Sequence, residues 1–412
     1  MKKVFFFLIS LMMGISASAD TNIVPQGVRA LVFHWVQADI HGFLDQNGRS
    51  APYSFKENLG APLIERASPQ AGALLNRLRT LDPGLVESMG LGTIDVQADA
   101  HVDAKAYAMA FGVSKNFMLV GVVPTYDATV TVKGDFTTSG SIRSAANTLR
   151  TNAVGNPNSS EMIALSQLLD QLPSINGNHL QGVLVNDYKY KPVGNWSAQG
   201  IGDLQFFGQV KYVDGPIYRQ GAKMGAEIPT GRTDDPDDLV DVSFGKGHFT
   251  TFVEMLNDWY FLGDRIILAA NARYAYQWSH RPRYRLIADP SLPISSESEE
   301  LDRKPGNIAT FNTEIDIKTI SELYFYTMYT YALKEKDQIH GTRSDFDYHL
   351  LEERTNYQSQ TAEIGLFFST AKLFQRKAFP VPMRLGMSYG KVVAGLNIEK
   401  TEYAAMRMEF YF

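Results

Sequence analysis

The residues able to do chemistry are ionisable groups spread over short segments. They are Asp203, Lys211, Arg219, Lys223, Glu227, Glu254, Asp258, Arg273, Glu314, Asp316, Glu363, Arg384, Arg407 and Glu409, with Glu322 beside them. Within a segment the offsets are even: 219, 223 and 227; 254 and 258; 314 and 316; 407 and 409. Even offsets put side chains on one face of a β-strand. Both signs occur in the set, and burying an unpaired charge costs several kcal/mol, so such groups must pair. Two readings stay open: a salt-bridge network that fills an interior, or a narrow polar path for small solutes.

The other reactive residue types point to little. The eight histidines, His34, His41, His101, His179, His248, His280, His340 and His349, form no His-x-x-x-His or His-Glu-x-x-His pair, so no metal site is expected. No Ser/His motif is recognisable and no catalytic residue is assigned. The absence of cysteine excludes disulfides, thiolate metal sites and cysteine nucleophiles. Gly200-Ile-Gly202-Asp203 opens a strand rather than a helix, so it is no phosphate cradle. Asp234, Asp235, Asp237, Asp238 and Asp241 offer hard oxygen ligands but lack calcium-loop spacing, and read as a solvated acidic run. Arg281, Arg283 and Arg285, next to His280, could pair phosphate oxygens bidentately. No cofactor is implied, and a net charge of -5 gives no footprint for nucleic acid.

The elements that must position these groups are strands. The last twelve residues alternate, with Phe412, Phe410, Met408, Met406 and Ala404 on one face and Tyr411, Glu409, Arg407, Ala405 and Tyr403 on the other. Similar alternation runs through 201–213, 217–229, 265–279, 307–318 and 322–334. About 9–11 residues suffice for a tilted strand to cross a membrane. Twenty Tyr, 24 Phe and four Trp suit the aromatic girdles of such barrels. At the other end, Lys2 and Lys3, an apolar run from Val4 to Ile15, and Ala17-Ser18-Ala19 read as a signal peptide over 1–19. The expected mature chain is a single domain over 20–412.

Connection lengths alternate. The tight turns 114–116, 213–216, 262–264 and 319–321 contrast with long polar segments at 230–248, 280–306 and 335–354. Short periplasmic turns opposite long external loops mark an outer-membrane barrel. With Phe412 at the periplasmic end, parity makes 44–92 and 133–200 long external excursions. A helix is expected at 159–172, and 180–191 reads as strand-like. The fold class is all-β, a transmembrane antiparallel barrel of about 12 strands, with 14 if 180–191 supplies a further pair, and with long external loops containing short helices. The strands are 27–43, 93–113, 116–132, 201–213, 217–229, 249–261, 265–279, 307–318, 322–334, 355–371, 381–394 and 401–412. A rival arrangement makes 20–92 an internal plug.

Gly200-Ile-Gly202-Asp203-Leu204, followed by Gly225-Ala-Glu-Ile-Pro229-Thr230-Gly231, resembles the phenol-degradation (meta-pathway) outer-membrane barrels, relatives of the long-chain fatty-acid transporter class. The resemblance covers roughly 200–280 and is specific for the superfamily rather than for a substrate. It implies a Gram-negative outer-membrane location and passive uptake of small, hydrophobic or aromatic solutes, with no enzymatic activity. The expected partners are outer-membrane lipid, lipopolysaccharide near Arg281, Arg283 and Arg285, the barrel-assembly machinery through Phe412, and the solute. The charged set above would line the permeation path. Apolar residues Leu165, Leu168, Leu169 and Leu172 would help an external cap capture ligand. The alternatives are a surface barrel for adhesion or envelope structure, and a barrel hydrolase.

Overall fold

The computed structural model describes residues 21–60, 69–88, 90–138, 141–171, 177–263, 265–288, 294–320 and 322–412. The expected signal peptide and Leu172 lie outside the described residues. No described helix is long and apolar enough to cross a membrane.

Twelve long strands form one closed antiparallel sheet. They are β1 (Arg29–Leu44), β2 (Gly90–Ser114), β3 (Phe117–Thr138), β4 (Leu204–Asp214), β5 (Tyr218–Ile228), β6 (Thr250–Phe261), β7 (Ile266–Gln277), β8 (Ile308–Lys318), β9 (Leu323–Lys334), β10 (Tyr357–Ser369), β11 (Met383–Leu396) and β12 (Ile398–Tyr411). Each pairs with its neighbours in sequence, and β1 also pairs with β12, which closes the barrel. Closure leaves no free edge in the wall, so the backbone groups of the strands satisfy one another. The seam ends on Arg29 and Phe412, which exchange two backbone hydrogen bonds of 2.8 and 2.9 Å. Residues 29–44 are therefore wall, bonded along both edges.

The alternation expected from sequence is realised as two faces. Phe206, Met224, Val253, Tyr274, Phe311, Phe325 and Ile364 are exposed on the outer wall, whereas Lys223, Glu227, Glu254, Asp258 and Glu314 are buried. On β2 the inward row Ala98, Ala100, Val102, Ala104, Ala106, Ala108 and Ala110 is small throughout and buried.

Some boundaries differ from expectation. The gap between the expected strands 381–394 and 401–412 shrinks to Asn397, whose left-handed φ of 51° lets β11 turn directly into β12. A short strand, Trp196–Ile201, precedes β4 and pairs with Thr125–Val130 of β3.

Segments 54–98 and 132–194 form a second compact unit. It holds α1 (Pro69–Leu81), α2 (Pro83–Ser88), α3 (Ser141–Ala153), α4 (Ser159–Gln171) and α5 (Gly177–Asn186). Its core joins Leu75, Leu78, Leu85, Val86, Ala145, Ala146, Leu149, Met162, Leu165 and Leu169. The segment 180–191, which reads as strand-like, is instead helical up to Asn186, as part of α5. The Gln181 side chain accepts from Val193 N at 3.0 Å and donates to Val193 O at 2.7 Å, tying this helix to the chain that follows it. Leu165 and Leu169 are buried in the helical core and are not the ligand-facing patch expected of them; Leu168 is exposed.

Candidate functional site in the barrel lumen

The inward faces enclose a cavity of about 210 Å³. Glu227, Glu254, Arg273, Glu314, Glu363, Arg384 and Arg407 line it, as do apolar Val36, Ala275, Ile308, Met328, Val392 and Ile398. The strand alternation that puts aromatics outside puts these groups inside.

On one side, Glu227 is held between two cations. Arg273 donates to it at 2.7 Å, and Lys246 pairs with its other oxygen. The Arg273 guanidinium also lies 3.8 Å from the centroid of the Phe252 ring. Lys223 faces Glu254 at 3.8 Å. Lys246 is not part of a strand. It reaches the lumen because the loop after β5 folds back, and that fold is built by the two motif fragments noted above. The Thr230 hydroxyl donates to Gly202 O at 2.7 Å and accepts from Leu204 N at 3.1 Å. The Asp203 carboxylate accepts the N–H groups of Gly231 at 3.0 Å and Lys246 at 2.7 Å. A side chain on Gly245 would collide with Asp203, and one on Gly231 with the Phe244 carbonyl. Phe244 stacks on Tyr126 with centroids 5.3 Å apart, sealing the fold-back against β3. Asp203 thus lies at the barrel mouth as an anchor of this loop rather than on the cavity wall.

On the other side, Glu363 accepts hydrogen bonds from Tyr326 and Tyr403, each at 2.7 Å and each to a different carboxylate oxygen. The tyrosine rings lie over Gly365 and Gly390, their cross-strand partners, where any Cβ would strike the ring. Arg384 stacks over Phe367 at 3.6 Å. Arg407 pairs with Glu409 at 2.7 Å, and the Tyr411 hydroxyl donates to the same carboxylate.

At the Phe412 end, residues from the start of the described chain enter the lumen. Thr21, fully buried, donates its backbone N–H and its hydroxyl to Asp258 at 2.8 and 2.6 Å. Gln209 donates to Asn22 O at 3.2 Å, and Val24 packs with Ala30, Ala110 and Met118. Lys211 pairs with Asp214 at 2.8 Å. Arg219 lies 3.2 Å from Asp214 and over the Tyr260 ring. Asp316 is buried on β8, and Glu322 sits in the turn before β9.

The basic cluster at the other end is engaged within its own loops. Arg281 meets Asp302 at 2.9 Å, while Arg283 and Arg285 both pair with Asp237. The acidic run is therefore not freely solvated: Asp237 neutralises two arginines, and Asp241 pairs with Arg232 at 3.1 Å. Nearby, the rings of His248 and His280 meet at a tilt of 37° with centroids 4.9 Å apart. Burial, reinforced by Lys246, lowers His248 to about 3; burial, reinforced by Arg303, lowers His280 to about 4. Both rings are neutral at physiological pH. Asp337 is buried beside Arg303 and Lys334; burial favours its neutral form, but the two cations outweigh it and hold the carboxyl below the usual range.

Tyr326, Tyr403, Lys246 and Thr21 are the residues that sequence reasoning missed. The first two fall on the polar face of their strands, but only the register reveals their glycine partners.

No protein-family model matches the sequence, and no curated protein matches it. Among solved structures, an outer membrane channel from Pseudomonas putida F1 aligns over 95% of this chain and 98% of its own, with a TM-score of 0.52 and 10% identity. A mutant of TodX, described as a monoaromatic hydrocarbon channel, covers 94% and 90% with a TM-score of 0.38 and 10% identity. A FadL homologue of Pseudomonas aeruginosa covers 93% and 90% with a TM-score of 0.35 and 9% identity. At 10% identity the first likeness shows the fold alone. The chain has the fold of an outer-membrane channel: a closed, twelve-stranded antiparallel β-barrel.

Proposed function

We propose that this protein is an outer-membrane channel for passive uptake of small, hydrophobic or aromatic solutes. The observation that carries the reading is the lumen cavity, whose apolar wall is interrupted by charges that already have partners inside the protein. A barrel of eight strands is filled by its side chains, whereas aqueous porins use about 16–18. Twelve strands leave room for one small solute and not for a wide water column. Reconstitution into liposomes and planar bilayers tests this. Solute flux with small or no ionic conductance is expected, and flux no greater than that of protein-free liposomes would overturn it.

The second unit favours one further reading. Its helical core is made of residues of this unit alone, as expected of a recognition module carried by a surface barrel. Retained flux after deletion of 133–194 would assign transport to the barrel; cell-surface binding lost with the same deletion would assign adhesion to this unit.

A further inference from the structure

We propose that Thr361, beside the Tyr326–Glu363–Tyr403 clamp, is a binding station for a small uncharged solute bearing a hydroxyl group. The proposal deepens the channel reading, on which it rests for the solute's route but not for its binding.

Thr361 lies on the cavity wall and is 6% exposed, yet its Oγ1 has no hydrogen-bond partner among the described residues. Leaving a buried hydroxyl unsatisfied is costly, so the position is set to receive a partner. The backbone singles it out as well. The register of β10 on β11 slips between Gln360 and Thr361, so that Thr361 faces Val392 while Gln360 faces Ala394. Such bulges re-aim a side chain and occur next to functional sites.

The surroundings define the solute. Thr330 is the cross-strand partner of Thr361 on β9, and Met328, Val392 and Ile398 supply apolar wall. Glu227 is neutralised by Lys246 and Arg273, Glu254 faces Lys223, Arg407 pairs with Glu409, and Glu363 takes two tyrosine hydroxyls. Glu314 and Glu399 are engaged too. An entering ion would lose hydration and find its counter-charges already committed, so its desolvation would go uncompensated. A neutral molecule avoids that cost. Its hydroxyl can donate to or accept from the threonine hydroxyl, which does both. The cavity exceeds the roughly 150 Å³ that accommodates a benzene-sized ring.

The test is calorimetric binding to the full-length mature protein, folded in detergent, of three probes sharing one ring: cyclohexanol, cyclohexylammonium and cyclohexanecarboxylate. Cyclohexanol should bind at least about tenfold more tightly than either ion. Thr361→Val, nearly the same shape, should weaken cyclohexanol by about 3- to 10-fold and leave the ions unchanged, while Thr361→Ser should restore it. Tyr403→Phe removes one donor from Glu363 and should narrow the preference for cyclohexanol over cyclohexylammonium. This variant stands as the measurement should Thr361→Val fail to fold. Equal affinity of wild type and Thr361→Val would overturn the station, the hydroxyl then being met by water alone, and so would ions that bind as well as the alcohol. Thr361-dependent binding without solute flux would remove the channel reading and keep the station; flux without such binding would do the reverse.

Discussion

The Asp258 carboxylate receives both the backbone N–H and the hydroxyl of Thr21, across a sequence separation of 237 residues. The contact draws the start of the described chain into the lumen, where Gln209 and the small inward residues Ala30 and Ala110 leave space for it. Hydrogen bonds to a charged group contribute about 1.5–3 kcal/mol each. Asp258→Ala should therefore shift the seated segment toward release by at least roughly tenfold. Solute flux in liposomes should rise and protease cleavage before Arg29 should appear. Unchanged flux and unchanged cleavage would show that Val24 and its apolar neighbours hold the segment without Asp258.

Asp203 offers a second test, because it acts on the opposite mouth. Its carboxylate holds Gly231 and Lys246, and through Lys246 it sets one partner of Glu227. Asp203→Ala removes the acceptor from two backbone N–H groups, a loss of about 1.5–3 kcal/mol for each bond made to the charge. Loop 229–249 should become protease-sensitive while the barrel keeps its heat-modifiable gel migration. Thr230→Val, which loses the bridge between Gly202 O and Leu204 N, should give a weaker version of the same result. Full protection of the loop in both variants would assign its fold-back to the Phe244–Tyr126 stack instead.

These two contacts mark what could be read from sequence and what could not. Period-two alternation from Leu204 to Phe412 sets the strands because one face must meet apolar surroundings and the other an interior. Turn length then orders them into a barrel. The fragments Gly200–Leu204 and Gly225–Gly231 could be noticed as a pair. Their hydrogen bonds could not, because they depend on how the loop after β5 folds back. The tyrosine clamp was hidden for a related reason: which glycine lies opposite Tyr403 is a property of register. Helix α5 went unread because Val183 and Val185 favour a strand locally, while Gln181 binds the backbone of Val193 twelve residues later.

The paired histidines of the mouth give a pH prediction. An unfolded chain protonates these rings near 6.5, whereas the folded one holds His248 and His280 neutral down to about 3 and about 4. Over that window the unfolded state binds more protons, so stability rises with pH. Their contribution is complete above pH 6.5 and is lost progressively as the pH falls through 6.5 toward about 4 for His280 and about 3 for His248. Resonances of these two rings should stay constant between pH 8 and 5 in a histidine-selective NMR titration. A midpoint near 6.5 for either ring would contradict the burial that lowers both, reinforced by the charge of Lys246 at His248 and of Arg303 at His280.

The helical unit allows its stability to be separated from that of the wall. Leu149 is fully buried in one cluster with Leu78, Val86 and Leu169, and none of these residues belongs to the barrel strands. Replacing a buried leucine with alanine costs about 2–5 kcal/mol, through lost transfer energy and the cavity left behind. Leu149→Ala should raise hydrogen exchange across α3 and α4 and expose them to protease. Exchange in β4 to β12 should stay at wild-type levels, because those strands are held by closed ladders and not by this cluster. Cyclohexanol binding at Thr361 should likewise be unchanged. If exchange rose together in the barrel strands, the two units would unfold as one, and surface recognition could not be assigned to the helices independently of the channel.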